Sequence, residues 1–277
     1  MPQSLVILTD FFAVSNQALS YAAGLAVPLK AHLLLLHTRH DALLAPVDGF
    51  PSHHTWLGAE KTFYALEELA ATQPVASQVE ISESALAEAV QEATRHQPAL
   101  LLVLGRPGAA TAPPDLLTRT AMHLLRHAPY PLLVVPGPGS GEEFPPRRLL
   151  LAVDGQPFCL HVPADLLHRL LHSLPGTLEA VYVTNDEQGP PDLAAIRATV
   201  CAPGRAAVLP EQCLHVVSNT SVVAGILQAA ADHAADLLLV VARPHSLLGH
   251  LFHDSVTARL LRESPIPVLV LPAVKPD

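Results

Sequence analysis

At 277 residues, half of them apolar but only 4% aromatic, the chain is long enough for two domains, and its composition favours helix-covered parallel sheets over aromatic-rich sandwiches. A formal charge of −9 with scattered Lys and Arg excludes an electrostatic footprint for nucleic acid, and apolar runs such as 99–104 and 237–242 are far short of the roughly 20 residues of a membrane span. Three cysteines, Cys159, Cys201 and Cys213, lack CxxC or metal-type spacing, and Met1–Thr9 lacks a basic leader, so no disulfide framework, zinc site or secretion signal is expected and a cytoplasmic location is.

In chain order, the first half reads as strands near 4–9, 32–37, 77–81, 99–104 and 131–135, alternating with helical patterns near 14–28, 59–72, 83–96 and 115–127. Pro136 to Pro146 is rich in proline and glycine and reads as a linker, with domains at 1–136 and 147–277 and the linker itself at 137–146. The second half then gives strands near 148–153, 178–183, 213–217, 236–241 and 267–271, with helices near 161–173, 191–199, 220–233 and 254–263. Strands that alternate with helices imply right-handed crossovers and a parallel sheet covered on both faces. In such sheets ligands sit beyond the carboxyl ends of the strands.

The halves also repeat in sequence. Leu5-Val-Ile-Leu-Thr-Asp10 is echoed by Leu149-Leu-Leu-Ala-Val-Asp154, an offset of 144. Val103-Leu-Gly-Arg-Pro107 returns as Val240-Val-Ala-Arg-Pro244, and Tyr130-Pro-Leu-Leu-Val-Val-Pro136 as Ile266-Pro-Val-Leu-Val-Leu-Pro272, at offsets of 137 and 136. Three blocks in one order at nearly constant spacing mark an internal duplication.

Ile7-Leu-Thr-Asp10, Ser15, the strand Ala31–His37, the Val103–Gly108 loop and the closing His127–Val135 segment together resemble a universal stress protein domain over nearly all of the first half. The second half resembles it more loosely. The resemblance implies two tandem doubly wound, Rossmann-like domains, each a five-stranded, mainly parallel sheet with helices on both faces, set together as an intramolecular pseudo-dimer. It leaves a further homodimer open. In nucleotide-binding members of that family, Gly-x2-Gly-x9-Gly followed by Ser or Thr cradles the phosphates, because glycines admit backbone N–H groups and the next helix N-terminus adds donors.

The first half keeps Asp10, Gly105 and Gly108, but Thr118 and Arg119 stand where the third glycine and the hydroxyl residue are expected. Pro113 and Pro114 donate no N–H in that loop, and Asp115 places a carboxylate near the helix start. Arg106 and Arg119 either pair with phosphate oxygens or lie as solvated surface. The second half keeps Asp154 but has Ala242 and His245 in the glycine positions, Asp254 in the third-glycine slot and Ser255 in the hydroxyl slot. Asp10 and Asp154 either face adenine or cap a turn, and Asp254 and Ser255 equally suit a helix N-cap.

No GxSxG elbow, Walker loop, GxGxxG or Cys–His arrangement is present, so no catalytic residues are assigned. His245, His250 and His253 crowd one loop without a complete ligand set, and surface histidines are the simpler reading. The expected function is that of a stress-response regulatory or binding protein with degenerate nucleotide sites, acting through an unidentified protein partner and requiring no cofactor. The alternative is an ATP-binding protein that uses the first half, with slow hydrolysis left open. A third reading is small-molecule or metal binding in a remodelled cleft.

Overall fold

A computed structural model of the chain describes residues 3–9, 13–38, 59–106, 114–137, 145–160, 173, 176–184, 191–201, 213–243 and 255–274. It divides into two compact units, Met1–Pro138 and Gly139–Asp277.

In the first unit β1 (Ser4–Leu8), α1 (Ala13–Leu29), β2 (His32–Thr38), α2 (Ala59–Ala71), β3 (Ser77–Ser82), α3 (Leu86–His96), β4 (Ala99–Gly105), α4 (Pro114–His127) and β5 (Leu132–Val135) follow one another. The sheet order is β3-β2-β1-β4-β5, with all pairs parallel. Every residue of β1, β4 and β5 is buried. Successive strand residues point to opposite faces, so unbroken burial means that both faces of the central sheet are covered. That is why these strands read as continuous Leu/Val runs, each fully buried Leu or Val contributing about 2 kcal/mol of transfer free energy. The edge strand β3 is only partly buried and carries Gln78 and Glu80.

The second unit contains β6 (Arg148–Val153), β7 (Cys159–Leu160), β8 (Thr177–Thr184), α5 (Leu193–Cys201), β9 (Leu214–Ser218), α6 (Val222–Asp232), β10 (Leu237–Ala242), α7 (Val256–Glu263) and β11 (Val268–Val274). Its order, β11-β10-β6-β8-β9, repeats that of the first unit, again with parallel pairing. The addition is β7, two residues that pair antiparallel with the end of β11 through Ala273↔Leu160 and Val274↔Cys159. Two residues carry no periodicity, so this strand had no sequence signal. The helix expected at 161–173 lies outside the described residues except Ser173, which is helical.

Local chemistry sets the helix ends. Ser221 caps α6 by accepting from Ala224 N at 3.3 Å, and Ser255 caps α7 by accepting from Ala258 N at 3.1 Å. At the end of the first turn of α6 stands Gly225, whose Cα faces Val183 of β8; a Cβ there would lie 2.7 Å from Val183 Cγ1 and 2.9 Å from Cγ2. The missing side chain is what lets this helix approach the sheet. Among the described residues no helix is long and apolar enough to cross a membrane.

Candidate functional site

In each unit the chain runs outward from the first strand to the edge and then returns to the other side of that strand. The reversal leaves a crevice between β1 and β4 in the first unit and between β6 and β10 in the second, at their carboxyl ends. Of the repeated blocks, Arg106 follows β4 at the first of these places, and Asp154 and Arg243 follow β6 and β10 at the second.

In the second unit the crevice opens into a cleft of about 630 Å³, a size that suits a small molecule. Its lining is mainly apolar, with Phe158, Val183, Val222 and Ile226 among the contributors and Tyr182 and Ser255 adding hydroxyls. Asp154 and Arg243 both line it. The Arg243 guanidinium donates from Nε to Asp154 Oδ2 and from Nη2 to Asp154 Oδ1, both at 2.7 Å. It also donates to Gln156 O and Pro157 O, again at 2.7 Å each. Four of its five N–H groups are therefore spent on the turn after β6, and its charge is neutralised by a bidentate carboxylate.

That turn is itself shaped by Asp154. Its Oδ1 accepts from Gln156 N at 2.9 Å, and Gly155 takes φ 73°, a left-handed conformation that a side chain would strain. A Cβ on Gly155 would also press on Ile196 Cγ1 at 3.3 Å and Tyr182 Cε2 at 3.4 Å. Asp154 thus holds a turn and an arginine at once: Oδ1 accepts two hydrogen bonds and Oδ2 one, so three of the carboxylate's four acceptor sites are used within the protein. Ser255 Oγ, although it lines the cleft, is committed to the α7 cap.

The corresponding crevice of the first unit is described in part. Gly105 ends β4 and is buried, and the following residue, Arg106, is half-buried with its N–H donated to Val135 O at 2.7 Å. Burial lowers the pKa of the Arg106 guanidinium, the signature of a cation drawn out of water. His37, at the end of β2, bonds through Nδ1 to Thr9 O at 2.9 Å and closes the neighbouring strand end. Thr118 sits inside α4 at 2% exposure, and its Oγ1 has no hydrogen-bond partner among the described residues. Arg119, one residue on, faces solvent. Asp10 and Gly108 lie outside the described residues, as do His245, His250, His253 and Asp254.

The structure therefore brings Asp154 and Ser255 to one cleft and adds Arg243, which the sequence reading had placed only in a repeat block. The signal was present: an aspartate after strand one and an arginine after strand four become neighbours once the strand order is known. By the same order Arg106 stands where Arg243 stands in the other copy.

The universal stress protein family model matches residues 1–136 and, a second time, residues 146–272. The universal stress protein Slr1230 of Synechocystis sp. is 31% identical over 172 residues, a match that takes in 61% of the present chain and 56% of that protein's length. Among solved structures, a universal stress protein from Archaeoglobus fulgidus superposes with a TM-score of 0.67 at 16% identity, covering 96% of this chain and 97% of that one. A functionally unknown protein from Pseudomonas aeruginosa PAO1 gives 0.55 at 17% identity over 98% and 93% of the two chains. The cytoplasmic domain of a prokaryotic cation chloride cotransporter gives 0.53 at 10% identity over 98% and 95%. At these identities the structural likeness speaks for the fold alone.

Proposed function

The chain belongs to the universal stress protein family, in tandem form, and from that premise we propose that it is a regulatory binding protein rather than an enzyme, with a degenerate nucleotide site in its second copy. One observation carries the reading: the aspartate that would meet a nucleotide there is held bidentately by Arg243 while it also shapes its own turn. A phosphate entering this cleft would find the arginine already neutralised and Cβ atoms at Ala242 and His245 in place of glycines. Action through protein contacts is supported by α2, which presents Phe63 and Tyr64 to solvent as an edge-to-face pair with centroids 6.3 Å apart.

A second reading, adenine-nucleotide binding by the first copy, draws on Gly105, which offers a Cβ-free strand end at the crevice, and on the desolvated Arg106 beside it. The two are separated by denaturing freshly purified protein, assaying the supernatant for adenine nucleotides, and titrating the folded chain with ATP-Mg by calorimetry. The expected result is no stoichiometric nucleotide and no heat at millimolar ATP. Stoichiometric nucleotide that disappears in Gly108→Asp would overturn the leading reading in favour of a working first-copy site. Retention in that variant with loss in Asp154→Ala would mean that the second cleft is intact after all.

A further inference from the structure

At the opposite, amino-terminal end of the second unit's sheet, three side chains from three elements converge. Glu179 lies near the start of β8, His215 near the start of β9, and His233 is the C-cap residue of α6. The register Val181↔His215 puts His215 on the same sheet face as Glu179 and Val181, and this face also carries Val183, against which Gly225 of α6 packs. The C-terminus of α6 therefore delivers His233 over the same corner.

Glu179 Oε2 lies 3.0 Å from His215 Nε2 and 2.8 Å from His233 Nδ1. The two imidazole rings are 3.9 Å apart, tilted by 41°. One ligand atom from each of the three residues falls within 4.8 Å of the others. In a tetrahedral Zn2+ site with bonds of ~2.0 Å, ligand atoms sit about 3.3 Å from one another, so the two carboxylate–imidazole separations need to open by only tenths of an ångström to admit an ion. All three side chains are about a third exposed, which leaves solvent room for a fourth ligand.

Two further features set this corner apart. Directly after His233, Ala234 takes φ 47°, a left-handed conformation uncommon for a residue with a Cβ, in a helix-ending turn where Ala235 N donates to Ala230 O at 2.8 Å. In the first unit the comparable corner is tied by amides and one imidazole: His32 Nε2 lies 2.6 Å from Gln97 Oε1, and Gln97 Nε2 donates to Gln78 Oε1 at 2.8 Å. Fastening the edge strand to the helix end thus requires no acid flanked by two imidazoles.

We propose that Glu179, His215 and His233 bind a divalent transition cation of the zinc class through two imidazole nitrogens and one carboxylate oxygen, with water completing the shell. The site lies away from the cleft and pins the edge strand β9 and the end of α6 to β8. Each histidine must carry its proton on the ring nitrogen turned away from the ion, so acid competes with the metal.

Chelator-treated, untagged full-length protein would be titrated with ZnCl2 by calorimetry and melted with and without the metal. One equivalent should bind and raise Tm. His215→Gln and His233→Gln should each lose at least tenfold in affinity and most of the Tm rise, since even loss of an outer-sphere partner costs 10–100-fold. His250→Gln should leave both unchanged. Should either cluster variant fail to fold, Co2+ bound to the wild-type chain still reports the ligand set, because a low-symmetry N2O site absorbs far more strongly than hexaaquo Co2+. Unaltered zinc binding in His215→Gln, no Tm rise in the wild type, or a Co2+ spectrum like that of the aquo ion would each overturn the proposal.

Discussion

Two aspartates hold opposite ends of the β6–β10 pair, and their environments set what each does. Asp154 is 56% exposed and works through geometry, trading hydrogen bonds with Arg243 in partial contact with water. Asp236 is only 9% exposed and accepts from Arg147 N and Arg148 N at 2.9 Å each and from Arg148 Nη2 at 3.0 Å. Burial alone would raise its pKa. The hydrogen bonds from Arg148 and the two backbone N–H groups, with the charge of Arg148, outweigh that effect and hold the carboxyl below its ordinary value of 3.8. A depressed folded-state pKa means that the stabilisation is fully present above the ordinary value and lost as pH falls through the lower folded one. Asp236→Asn should therefore lower stability by about 1–3 kcal/mol at pH 7, because buried donors lose a charged acceptor. The deficit should shrink well below pH 3.8, where the wild-type carboxyl protonates too. Urea unfolding of both proteins at the two pH values measures it, and an undiminished deficit in acid would show that the charge contributes nothing.

At the scale of elements, the close seating of α6 on β8 makes a sharper demand than any single hydrogen bond. Helix propensity alone says that Gly225→Ala should stabilise by about 1 kcal/mol. Packing says the reverse, since the new methyl would lie under 3 Å from both γ-carbons of Val183, a β-branched side chain with little freedom to turn. Overpacking of this kind costs about 1–3 kcal/mol, and the net effect should be a loss. Val183→Ala in the same chain should recover most of it, so a double-mutant cycle by thermal unfolding separates the clash from the propensity; a stabilised single variant would mean that α6 rides higher than described. The same elements show what the sequence made legible. Central strands were visible because burial on both faces forces unbroken apolar runs, and α3, α4, α6 and α7 because one apolar face recurs at helical spacing. The β7 pairing escaped because two residues have no period, and the intimacy of Gly225 escaped because a helical glycine reads only as a weak propensity. Arg243 escaped for a different reason: its partner is 89 residues away, and only the strand order makes them neighbours.

For the molecule as a whole, duplication preserved the sheet and released the crevices. Both units keep the order that puts the first and fourth strands side by side, because moving a buried strand would disrupt the whole apolar core. The last residue of a strand carries less of that penalty, so Gly105 ends β4 and Ala242 ends β10 at matching positions in the two copies while both residues stay buried. The core should then be the slow part of each unit and the edge the fast part. Amides of β1 and β4 in the first unit and of β6 and β10 in the second, paired on both sides and largely buried, should exchange with solvent only on the largest openings, whereas β3 and β9, paired on one side and half-exposed, should exchange through local fraying. Native-state hydrogen exchange followed by mass spectrometry should show protection at least tenfold greater in the central pairs than at the edges. The β9 edge has a distinguishing feature that β3 lacks: the corner formed by Glu179, His215 and His233 sits at its start. Zinc added during exchange should slow β9 while leaving β3 untouched. Equal slowing of both edges would point to general stabilisation instead of a fastening at that corner, and faster exchange in β1 or β6 than at the edges would mean that the central crevices, not the rims, are where the two folds open.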